Sequence, residues 1–381
     1  MDLTEYTDIA PFTDEETSAA LTRLSNHPNT PWVSRTIFPD KPANFLAELL
    51  RSIHTVDQFQ QVVMSKAVEW VIAKTVRNFS YCGVEKLKAL DGKKFLAMSN
   101  HRDIILDPAI FQVILIKNHI PETQICVGDN LLKNNKSVEL LIRSNRMIKV
   151  IRGISARELY LSSQILSRYI RETITSGTAS VWIAQRQGRT KDGIDITEQG
   201  LLKMVDMSGN EDFVKNFMEV NIVPLSISYE YEPCDILKAR ELLISRTQKY
   251  VKTETEDLES IMMGIKQPKG NVHLEIGDPL TEEEITEASL CDKNDRYQKI
   301  RHAVDRRVIR GYKLWKTNYM AYDIVNGEGK YASEYTPEEM EAFKAYIDGQ
   351  LGKVEPELNR EDLRDILLHI YSNPVLSKEQ L

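Results

Sequence analysis

Residues 99–108 read SNHRDIILDP, in which His101 is followed by two carboxylates, Asp103 and Asp107. Such a set can take the proton from a hydroxyl group. Imidazole suits the task because its unperturbed pKa lies near neutrality, and a carboxylate behind the ring fixes its tautomer and stabilises the imidazolium that forms. A stretch rich in arginine and lysine lies further along the chain. Arg152 ends SNRMIKVIR, and Arg189 lies in SVWIAQRQGRTKDG. A guanidinium is planar, with a fork of donors that matches phosphate or carboxylate. Between Arg143 and Lys191 the chain carries ten Lys/Arg against two acids, although its formal net charge is −7. That contrast marks a basic island. Arg157, Arg168 and Arg171 within it are expected to be solvated helix charges.

These residues must be positioned by the elements around them. Ser99 and Asn100 can cap a helix, which leaves His101 in a turn between a strand and the apolar helix that carries Asp107. His-Arg-Asp also opens the protein-kinase catalytic loop, but that loop needs an Asn five residues after its Asp and a D-F-G downstream. Pro108 stands at that position, no D-F-G occurs, and no glycine-rich phosphate loop precedes the histidine. The kinase reading fails.

Short apolar or β-branched runs at 94–99, 123–128, 147–152, 179–184, 221–228 and 271–276 read as strands. The clearest helix between them is SARELYLSSQILSRYIRETITSG (155–177), with a Ser155/Glu158 capping box and Gly177 to close it. Pro224 within NIVPLSIS is expected to demote that strand from a central position or to mark a bulge. Strand–helix alternation argues an α/β fold: a mixed sheet flanked by helices, with helical N-terminal and C-terminal extensions. The divisions read from the sequence are 1–80 (irregular lead-in and helices), 81–285 (α/β domain) and 286–381 (helical C-terminal cap). Residues 46–80 have apolar positions at helical spacing and read as a helical pair covering the core; their polar side is not basic enough for a membrane-resting face.

Composition bounds the function. Hydrophobic residues at 42% and charged residues at 28% are ordinary for a globular chain of 381 residues. The acidic balance argues against a nucleic-acid binder. Cys82, Cys126, Cys234 and Cys291 stand singly, which fits reduced thiols. No metal-ligand spacing is found, and His273, alternating with apolar neighbours, reads as a structural strand histidine. The opening MDLTEYTDIAPFTDEE lacks an apolar core, so no signal peptide is expected. The longest apolar run, 104–116, is too short to span a bilayer.

NHRDIILDP, SNRMIKVIR, IAQRQGRT and IVPLSIS, in that order over roughly residues 85–280, resemble the four sequence blocks of the glycerol-phosphate and lysophosphatidate acyltransferase family, and look closest to its bacterial glycerolipid acyltransferases. The resemblance implies a glycerolipid acyltransferase-like fold in which His101 is the base and Asp107 its partner. Arg152, Gln187, Gly188, Arg189, Lys191 and Asn100 are then expected around the substrate, the arginines on an anionic head. The implied reaction moves a fatty acyl chain from acyl carrier protein or coenzyme A to glycerol 3-phosphate or lysophosphatidate, in phospholipid biosynthesis. It uses no cofactor and no metal. The implied setting is cytoplasmic, with peripheral contact at the inner face of the membrane. Two departures stand out. Five residues separate His101 from the aspartate where the family has four, which leaves Asp103 as an alternative partner. Gln187 replaces the family's glutamate. An amino-acid-derived lysolipid as acceptor, and a non-catalytic lipid- or carrier-binding protein, are the competing expectations.

Overall fold

The computed structural model describes residues 3–132, 136–152, 155–253, 255–327 and 329–381. Seven strands form one sheet: β1 (Val76–Cys82), β2 (Leu96–Ser99), β3 (Gln124–Gly128), β4 (Met147–Val150), β5 (Val181–Ala184), β6 (Ile222–Tyr229) and β7 (Gly270–Ile276). Their order is β1-β7-β6-β2-β5-β3-β4. From β6 to β4 every neighbouring pair is parallel; β7 runs antiparallel to β6, and β1 parallel to β7. The sheet is therefore mixed and flanked by helices, as expected. All six strands expected from the sequence are present.

β1 was not foreseen. Its residues close a stretch whose helical periodicity ends at Thr75, and β-branched and aromatic residues then pair with β7. The sheet thus begins before residue 81. Pro224 also corrects an expectation, because β6 is central, paired on both sides. The carbonyls of Asn221 and Leu225 accept bonds from β2, which turns the backbone of Pro224 the other way. On that side Pro224 faces Gly277 just beyond the end of β7; its carbonyl accepts the Gly277 N–H at 2.8 Å, so the proline costs the sheet one bond at the end of this ladder.

Strand alternation splits the core into two layers. Leu96, Met98, Val181 and Ile183 pack under the helices Ala156–Thr175, Gln199–Met207, Phe213–Val220 and Asp295–Gly311. Phe95, Ala97, Trp182 and Val223 pack on the other face, against the helices Leu106–Lys117 and Ser65–Thr75. Helix Ala156–Thr175 starts with the Ser155/Glu158 capping box, and Gly177 follows it at φ +75. Of its arginines, Arg157 and Arg168 are exposed, but Arg171 is buried and donates to the carbonyls of Val205 and Asn216. It ties three helices together instead of facing water. A separate cluster joins the C-terminal helices Pro337–Leu351 and Arg360–Glu379 to Ile236 and Ala239. Among the described residues no helix is long and apolar enough to cross a membrane.

Candidate active site

Because β2, β3, β4, β5 and β6 run parallel, the residues at their C-terminal ends meet along one edge, where ligand crevices of open α/β sheets form. His101 follows β2, Asp129 follows β3, Arg152 follows β4, Arg189 follows β5, and Tyr229 ends β6.

His101 Nδ1 lies 2.9 Å from Asp107 Oδ2. The same oxygen accepts the backbone N–H of Arg102 at 2.6 Å and of Asp103 at 2.9 Å, while Asp107 Oδ1 accepts the Tyr229 hydroxyl at 2.7 Å. Asp107 is wholly buried and serves only as an acceptor, so Nδ1 carries the imidazole proton. Nε2 is left with its lone pair. The imidazole is 13% exposed, enough for one edge to meet a substrate. Burial, followed by the charge of Asp107, keeps the Tyr229 hydroxyl far above its ordinary range and therefore protonated. The extra residue between His101 and Asp107 is absorbed by the turn.

Asp103 is not the partner of His101. Its Oδ1 accepts from the backbone N–H groups of Ile105 and Leu106, at 2.9 and 2.8 Å, and so caps the helix that starts at Leu106. The capping role expected of Ser99 and Asn100 falls to Asp103. Burial, followed by the charge of Asp107, raises its pKa. Asn100 is likewise structural. It is fully buried, its Nδ2 donating to Asp195 Oδ2 and the Ile227 carbonyl, and its Oδ1 accepting from the Ile227 N–H. Both of its N–H groups are taken, and its burial turns it toward the protein.

Arg102, the centre of the kinase-like triplet, is a buried clamp. Its Nη2 bonds Asp195 Oδ2 at 2.6 Å and the Gly193 carbonyl at 3.2 Å, and its guanidinium stacks 4.8 Å from the Tyr312 ring. Burial works against its charge, but Asp195 and Glu232 outweigh burial and hold it well above the ordinary range. Lys238 Nζ bonds both the Arg102 carbonyl and Glu232 Oε1. The peptide after His101 is therefore held by ions that never reach solvent.

Arg189 sits beside this turn. The next residue, Thr190, donates its N–H to the His101 carbonyl at 2.7 Å. Arg189 is nine-tenths buried; Nη2 reaches Ser260 Oγ at 3.2 Å, and Nη1 has no partner among the described residues. Arg152 is half-buried and lies across Gly128, where any Cβ would meet its guanidinium at 2.9 Å. No described residue hydrogen-bonds that guanidinium. Burial lowers its pKa, offset in part by Asp129, Asp257 and Glu198. Asp257 also senses Arg189: burial opposes its charge, but hydrogen bonds from Lys252 and Asn130, with the charges of Lys252 and Arg189, bring its pKa below the usual range. Both arginines thus feel the charge of one acidic side chain on the helix Glu256–Lys266.

Gly188 takes φ +75, the left-handed conformation the turn before Arg189 requires. Gln187 is exposed and hydrogen-bonds no described residue. Lys191 is spoken for by Glu241. Sequence reasoning missed Tyr229, Ser260 and Gln185. Tyr229 follows directly from SISYE, but only the fold brings its hydroxyl to Asp107. Gln185 is fully buried, with neither amide atom partnered. Strand alternation puts it on the face opposite Trp182, whose ring lies 5.8 Å edge-on from His101.

No family model and no curated protein matches the chain.

Proposed function

We propose that this protein is an O-acyltransferase of the glycerolipid acyltransferase type, moving an acyl chain from an acyl carrier protein or coenzyme A thioester to a hydroxyl of an anionic lipid precursor. The observation that carries the reading is the buried His101–Asp107 pair with Nε2 left as the base. As the acceptor oxygen attacks the thioester carbonyl, Nε2 takes its proton. Asp107 stabilises the imidazolium, and the proton then passes to the departing thiolate. Arg189 and Arg152 hold the acceptor's anionic head; the unpartnered Nη1 of Arg189 is a donor awaiting such a group. Glycerol 3-phosphate or lysophosphatidate is the default acceptor, and a carboxylate-headed lysolipid would use the same forks.

Exposed apolar side chains support a lipid substrate. Helix Glu256–Lys266, which supplies Ser260 and Asp257, also exposes Leu258 and Met262; Leu159, Tyr160, Leu161 and Ile165 are exposed on the first half of Ala156–Thr175. Such surfaces suit peripheral contact with a membrane from the cytoplasm. Against a merely lipid-binding role stands the four-fold anchoring of Asp107, an arrangement that binding alone does not need.

The test is transfer of a radiolabelled acyl chain from acyl carrier protein or coenzyme A to phosphate- and carboxylate-headed acceptors, comparing wild type with His101→Ala. Turnover lost with His101 is expected. Saturable lipid binding without transfer to any acceptor would overturn the proposal.

A further inference from the structure

At the β1 edge of the sheet, β1 and β7 pair so that Ser80 faces His273 and Cys82 faces Glu275. His273 and Glu275 are two residues apart on one strand and share its half-exposed face, while Val272, Leu274 and Ile276 turn into the core. A thiol, an imidazole and a carboxylate are therefore side by side on neighbouring strands. Their ligand atoms all lie within 4.8 Å of one another. Cys82 Sγ is 3.6 Å from His273 Nε2. Zinc bound tetrahedrally to sulfur and nitrogen holds those two atoms about 3.5 Å apart, so the pair needs almost no movement. Rotation of the Glu275 carboxylate closes the third side.

The imidazole is oriented as a metal-bound histidine is. Ser80 Oγ lies 2.8 Å from His273 Nδ1 and can take its proton, which leaves Nε2 toward the thiol. The positive charges that bear on the ring are those of Lys313 and Lys378. Both ammonium groups have partners of their own: Lys378 Nζ donates to the Arg310 carbonyl, and Lys313 Nζ lies 4.7 Å from the Trp315 ring centre. Cys82 is exposed and can exchange its proton for a metal from solvent.

We propose that Cys82, His273 and Glu275 form a binding site for a zinc-class divalent metal, which clamps the edge strand β1 onto β7. Thiolate and carboxylate together balance the divalent charge, and the remaining coordination position is open to water. A site of this composition favours zinc or cobalt over the hard cations magnesium and calcium. β1 has only one neighbour in the sheet, so a bond across that single ladder adds directly to its retention.

The experiment is a titration of the metal-free full chain with Co(II), following the near-ultraviolet thiolate-to-cobalt absorption. Saturation at one equivalent is expected. The band should vanish in Cys82→Ser, persist in Cys291→Ser, and need at least tenfold more metal in His273→Ala and in Glu275→Gln. In parallel, Zn(II) should slow alkylation of Cys82 in the wild-type protein at least tenfold, read by peptide mass spectrometry; this requires no variant to fold. A band that survives Cys82→Ser, or the lack of any saturable band together with unprotected Cys82, overturns the site.

Discussion

Replacing Asp107 by asparagine separates the two services this carboxylate renders. Two backbone N–H groups and His101 Nδ1 converge on Oδ2, while only the Tyr229 hydroxyl meets Oδ1. The amide oxygen of Asp107→Asn must therefore take the Oδ2 position, because an NH2 there would face three donors. Its NH2 then points to Tyr229, whose hydroxyl can rotate to accept. The imidazole keeps its tautomer, and only the negative charge behind the imidazolium is lost. A hydrogen bond to a charged group contributes about 1.5–3 kcal/mol, so the acyl-transfer rate should fall roughly 10- to 150-fold. Asp107→Ala loses charge and orientation together and should cost on the order of 10,000-fold. Asp103→Asn should fall by less than about threefold, since an asparagine oxygen caps Ile105 and Leu106 equally well. The assay is thiol release from an acyl thioester in the presence of acceptor, with folding checked by urea unfolding. An Asp107→Asn enzyme as fast as wild type, or an Asp103→Asn enzyme slower than Asp107→Asn, would refute the reasoning.

The other predictions concern the anion site and the layer beneath it. Arg189→Gln should raise the KM for a phosphate-headed acceptor by roughly tenfold or more with kcat changed far less, and Arg189→Lys should fall between, because it keeps charge but not the fork; steady-state kinetics with the acceptor varied decides this. Gly188→Ala meets no atom within 4 Å but must hold φ +75, so it should destabilise by about 1–2 kcal/mol and weaken acceptor binding through Arg189. Lys269 is fully buried, bonded to Thr75 Oγ1 and the Gln267 carbonyl, and burial pushes its pKa down to about 8. Between pH 8 and the ordinary lysine value the unfolded chain retains a proton that the folded chain has released, so stability should rise with pH in that window. Relative to Lys269→Met, wild type should gain about 2 kcal/mol between pH 7.5 and 9.5 in urea unfolding; a flat difference would show that the ammonium is not held in a low-dielectric site.

The amino-acid sequence by itself determined the six strands from β2 to β7, the capping box at Ser155 and the candidacy of His101, Arg152 and Arg189. Periodicity, caps and turn residues act within a few positions, so they are legible one segment at a time. β1 was hidden because its residues follow a helix without a break in apolar spacing. Tertiary structure alone decided between Asp103 and Asp107, since the choice depends on which carboxylate the turn's own N–H groups and Tyr229 surround. It also gave Asn100 and Lys191 protein partners, the first buried against Ile227 and Asp195, the second paired with Glu241. It brought Cys82 to His273 and Glu275 across a parallel ladder. Burial and long-range pairing set which donors are left over for chemistry, and neither is a property of any local stretch of chain.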